Sequence, residues 1–141
     1  MKTTKILVQK SETGLSEDNK AKLKSLKIYK DKKHFKFSNG WVDLAYELGK
    51  NIEEVCKLAN CELPKIEAMY NKYNSLRVDY NFTSPVPKIV ETLIDSLIYV
   101  TEDKSEMICE YCGKSCDIEI TEKNNNYINA CEKCFDIKNR D

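Results

Sequence analysis

Four cysteines near the end of the sequence constrain this chain more than any other feature. Cys109 and Cys112 are separated by two residues, as are Cys131 and Cys134, and 18 residues lie between the pairs. A CxxC turn lets two thiolates point at one ion, and two such turns supply a tetrahedral four-thiolate zinc site. One structural Zn2+ is therefore expected on Cys109, Cys112, Cys131 and Cys134. A site closed by four thiolates keeps no open position for water, so a catalytic role for that metal is not expected. The metal would also give residues 107 to 141 a reason to fold, because so short a segment cannot bury a core of its own.

Disulfides are the bland alternative for these pairs. The chain has seven cysteines, an odd number, and its first ten residues contain no long apolar segment of the signal-peptide kind. A reducing, cytoplasmic setting is expected, and thiolate–zinc bonding suits it. Cys116 reads as a spare thiol beside the first pair. Cys56 and Cys61 lie in helical sequence and read as small buried apolar residues.

The residues around the pairs add a pattern. In Cys109-Glu110-Tyr111-Cys112-Gly113-Lys114, glycine supplies backbone freedom just after the second ligand. Residues 117 to 121 alternate polar and apolar as a strand does, 123 to 126 are turn-forming, and 127 to 130 return as a second strand. Residues 131 to 138 look like the opening of a helix. Knuckle, hairpin and ligand-bearing helix together resemble the treble-clef group of zinc fingers, with the zinc ribbon as the close competitor. The resemblance covers the last quarter of the chain.

Residues 1 to 103 are long enough to fold unaided. Ile6-Leu7-Val8 marks a strand over residues 4 to 9. Ser16-Glu17-Asp18 can cap a short helix holding Leu23 and Leu26. Residues 25 to 29 and 34 to 38 alternate around Lys30-Asp31-Lys32-Lys33 as a hairpin would. Tyr29, Phe35 and Phe37 are then its buried face, although aromatics among lysines also suit stacking on single-stranded nucleic acid. Four helices are expected after residue 40: Trp41 to Leu48, ended by Gly49; Ile52 to Ala59; one beginning near Pro64; and one beginning near Pro87. The last carries Ile89, Val90, Leu93, Ile94, Leu97 and Ile98 at three–four spacing and is expected at the centre of the core. The fold class expected is α+β: a mixed domain over 1–103, β-rich and basic to residue 40 and helical over 41–100, followed by a four-cysteine zinc finger over 104–141.

Residues 52 to 73 also resemble a helix-turn-helix. Val55 and Cys56 would be buried in its supporting helix, Ala59 and Asn60 would enter the turn, and Ile66 and Met69 would anchor the reading helix. The resemblance implies that Asn71 reads adenine while Lys65 and Lys72 meet phosphate. Glu53, Glu54, Glu62 and Glu67 oppose that reading. Net charge is zero but unevenly spread: residues 1–40 sum to +7, 41–103 to −5 and the remainder to −2. The basic segment, with Lys30, Lys32, Lys33 and Lys36, can meet phosphate or an acidic protein face.

Enzymatic signatures are missing from the sequence. His34 is the one histidine, no HExxH or deaminase HxE accompanies the cysteine pairs, and no glycine-rich phosphate loop occurs. A non-enzymatic binding protein is expected, with no small-molecule substrate and no membrane. The sequence holds 21 Lys, 12 Asn and 12 Ile but only 2 Arg, a bias that AT-rich coding produces in low-GC bacteria and their phages. Small proteins of mobile elements often act by stoichiometric blocking of nucleic-acid machinery. A protein partner of that kind is ranked ahead of DNA, and an anti-CRISPR-type inhibitor of a Cas effector is one specific form of it. The alternative is a helix-turn-helix and zinc-finger transcriptional regulator.

Overall fold

The computed structural model describes residues 15–31, 35–73 and 75–114, and the backbone alone of 118–123 and 126–131. The expected strand at 4–9 and helix at 131–138 lie outside these residues, except for the backbone of Cys131. Within them the fold is α+β. Three α-helices, α1 (Glu17–Lys24), α2 (Val42–Ala59) and α3 (Lys88–Ser105), accompany an antiparallel pair, β1 (Lys65–Lys72) with β2 (Ser75–Asn81), and a second hairpin, β3 (Ile118–Lys123) with β4 (Asn126–Cys131). No described helix is long and apolar enough to cross a membrane.

Helix α1 starts as its sequence dictates. Ser16 Oγ accepts the Asn19 N–H at 3.3 Å, Glu17 and Asp18 occupy the positive end, and Lys22 and Lys24 the negative end. The expected strand over 25–29 is instead a 3-10 turn, Lys27–Tyr29. Ile28 and Tyr29 are both buried. Neighbours on a strand point to opposite faces, whereas this turn lets both pack inward.

The two helices expected over 41–59 are one helix, α2, running through Gly49. Gly49 is a packing notch. A Cβ there would lie 2.6 Å from Tyr29 Cε2 and 2.9 Å from Leu26 Cδ1, so the missing side chain makes room for the Tyr29 ring. The helix ends at Asn60, which takes the left-handed conformation its side chain tolerates (φ 55°, ψ 49°).

The helix expected from Pro64 is a β-hairpin. This removes the proposed reading helix of the helix-turn-helix, because residues 65–72 are strand β1. The register slips between Ile66 and Ala68. An inserted residue converts the two-residue period of a strand into a three-residue gap, so Ile66 and Met69 both face the core. That gap imitates helical spacing. Lys72 pairs with Ser75, and Tyr73 between them has φ 53°, as a tight hairpin connection requires.

The core centres on α2 and the aromatic residues before it. Trp41, Tyr29, Phe37, Leu48, Ile52, Met69, Leu76 and Ile94 are fully buried. Tyr29 and Phe35, then Phe35 and Phe37, meet edge to face at 5.8 and 6.0 Å. Helix α3 packs on α2 and β2 but buries only Val90, Ile94, Ile98 and Ser105. It is a flank of the core, not its centre. Lys36 reaches β1 by backbone bonds, its N–H to Met69 O at 2.9 Å and its carbonyl from Asn71 N–H at 3.3 Å.

Candidate metal centre and its anchorage

Residues 109–114 form a closed turn. Cys109 N–H donates to Lys114 O and Gly113 N–H to Cys109 O, both at 2.9 Å. Gly113 has φ +81°, a conformation that glycine adopts without strain. The Tyr111 N–H points at Cys109 Sγ, 3.4 Å away. An amide aimed at sulfur stabilises negative charge there, which is the charge a metal-bound thiolate carries. Cys109 is buried and Cys112 exposed. The donor set and the backbone closure fit half of a thiolate site.

The turn is fastened to the core on three sides. Gly40 N–H donates to Glu110 O at 2.6 Å, and the Trp41 indole N–H donates to Ile108 O at 2.9 Å. Gly40 needs its missing side chain for this approach: a Cβ would stand 2.5 Å from the Glu110 carbonyl carbon. The buried Glu110 carboxylate accepts the Ser38 N–H at 3.1 Å through Oε2 and the Asn71 side-chain amide at 2.7 Å through Oε1. Burying a carboxylate is costly unless its oxygens are bonded, and here both are.

The second cysteine pair is described only in part. In the β3–β4 hairpin Cys131 is the last residue of β4 and pairs with Ile118, while Lys123 pairs with Asn126 at the turn. The hairpin expected between the pairs is therefore present. Cys134 and Cys116 lie outside the described residues. Among the described residues no three His, Cys, Asp or Glu side chains gather as a metal site.

The residues expected to touch nucleic acid or a partner are dispersed. Lys30, Lys36, Lys65 and Lys72 are exposed, whereas Lys32 and Lys33 lie outside the described residues. Lys65 and Lys72 sit at opposite ends of β1, about 23 Å apart at strand rise. Lys72 Nζ lies 5.5 Å from the Tyr73 ring centroid. Asn71, expected to read a base, holds Glu110 instead. The anchoring roles of Gly40, Trp41 and Glu110 carry no local sequence signal, because each depends on a partner from 39 to 72 residues away.

Cys56 and Cys61, expected in the core, lie together at the C-terminal end of α2. Cys56 is buried and Cys61 half-buried. Burial, reinforced by the neighbouring Cys61, pushes the Cys56 thiol up to about 11. Comparison with family models, curated proteins and solved structures finds no match to this chain.

Proposed function

We propose that this chain is a non-enzymatic binding protein, stabilised by one structural zinc ion, that regulates a protein partner by stoichiometric association. The zinc reading assigns the metal to Cys109, Cys112, Cys131 and Cys134. It is supported by the CxxC spacing, the N–H donor on Cys109 Sγ and the left-handed Gly113.

The observation that carries the binding role is the outer face of α3. Ile89, Leu93 and Val100 are 74%, 47% and 49% exposed. At 3.6 residues per turn these positions fall within about 40° of one another around the helix axis. They form an apolar stripe separate from the buried stripe of Val90, Ile94 and Ile98. Tyr99 and Met107 are exposed too. Exposed apolar side chains gathered on one helix face favour a protein partner over a phosphate backbone. The narrower reading, an inhibitor of nucleic-acid machinery such as a Cas effector, is supported by the coding bias and small size alone.

The test is affinity capture on the zinc-loaded full chain, beside the variant Ile89→Asp/Leu93→Asp. One protein retained at equal stoichiometry, and lost with the variant, is the expected result. Salt-sensitive binding to random duplex DNA, weakened by Lys65→Ala and Lys72→Ala and unaffected by the α3 variant, would overturn the reading.

A further inference from the structure

The C-terminal end of α2 closes with two backbone bonds. Asn60 N–H donates to Lys57 O at 3.2 Å, and Cys61 N–H donates to Cys56 O at 3.0 Å. This paired closure around a left-handed residue brings the side chain just beyond the cap against the one five positions earlier, and the two are usually apolar. Here both are cysteines. Both also line an open cleft with Lys27, Glu53, Lys57 and Leu63. The cleft gives a small disulfide access to a pair that the helix end has already brought together.

We infer that Cys56 and Cys61 are a dithiol–disulfide couple, a modification site for oxidation by a low-molecular-weight disulfide. Cys61 is the thiol that reacts first with the reagent from solvent, since it is half-exposed while Cys56 is buried. Its thiolate attacks one sulfur of the small disulfide, forming a mixed disulfide and releasing one thiolate, which takes up a proton. Cys56 then gives up its proton and attacks Cys61 Sγ, and the second small thiol leaves. Two protein thiols are oxidised to one disulfide, and one small disulfide is reduced to two thiols. Because Cys56 holds its proton, it serves as the resolving thiol and not as the first nucleophile. The couple is independent of the zinc reading.

The test equilibrates the zinc-loaded full chain in glutathione buffers stepped from reduced to oxidised, blocks remaining thiols and digests with trypsin. Trypsin cuts after Lys57, so a Cys56–Cys61 bond joins the peptide 51–57 to 58–65 with the loss of two hydrogens. The expected result is that this pair is the dominant cross-link in oxidised buffer and is lost on return to reduced buffer. Cys56→Ala should trap the glutathione adduct on Cys61, and Cys61→Ala should leave Cys56 unmodified. Absence of the 51–57/58–65 pair, or an adduct that accumulates on Cys56 in Cys61→Ala, would overturn the inference.

Discussion

The Asn71 side-chain amide donates to Glu110 Oε1 at 2.7 Å, tying β1 to the turn between Cys109 and Cys112. The second carboxylate oxygen takes the Ser38 N–H, so one glutamate joins three separate stretches of chain. Glu110→Ala would strip an acceptor from one buried and one part-buried donor, at about 1–3 kcal/mol each. The expected loss is about 2–6 kcal/mol in chemical denaturation. Glu110→Gln keeps one acceptor oxygen and should lose about half as much. Wild-type stability in Glu110→Ala would refute this anchoring role.

These contacts explain which parts of the fold were legible beforehand. The Ser16 cap and the start of α3 near Pro87 depend on residues within a turn of themselves, and sequence displays such relationships directly. The β1–β2 hairpin was misread because its register irregularity gives Ile66 and Met69 a helical gap. Gly49 was misread because its role is set by Tyr29, twenty residues away. Of the candidate site, the cysteine spacing and the Gly113 turn could be read from the sequence. Glu110 could not, since its value depends on Ser38 and Asn71.

Gly49→Ala tests the notch directly. As an ordinary interior helix position, Gly49 would gain about 1 kcal/mol from alanine's better helix propensity. As a notch for Tyr29, it should lose, because the new methyl lies 2.6 Å from the ring and overpacking costs about 1–3 kcal/mol. Net destabilisation of about 1–2 kcal/mol in urea unfolding is expected. A stabilised variant would sink the packing account.

Tyr29 should make the fold sensitive to alkali. Its hydroxyl donates to Ala45 O at 2.7 Å, and burial, aided by the Glu53 charge, raises its ionisation well above the ordinary tyrosine range. The native state thus holds this proton more tightly than the unfolded chain, where ionisation occurs near pH ~10. Stability from this group is complete below that pH and declines as pH rises toward the native value. The slope approaches about 1.4 kcal/mol per pH unit. Tyr29→Phe should lose about 1 kcal/mol at neutral pH, with its bond to Ala45, and should flatten the alkaline slope. An unchanged slope, followed by denaturant midpoints across pH, would contradict this assignment.

Metal removal has a built-in reporter. Trp41 is the chain's single tryptophan, is fully buried, and bonds through its indole N–H to Ile108 O, next to Cys109. If zinc holds Cys109 and Cys112 against the second cysteine pair, chelation should release the 109–114 turn from Gly40 and Trp41. Metal analysis should find one zinc per chain, and chelation should shift Trp41 emission to longer wavelength. Cys109→Ser and Cys134→Ser should each reproduce that shift without chelator and lose the metal. Cys134 is the sharper of the two, because it cannot act on Trp41 through the 109–114 turn itself. A purified chain without zinc, in which Cys134→Ser keeps the native emission and melting temperature, would remove the metal reading and leave the turn as an apolar and hydrogen-bonded appendage of the core.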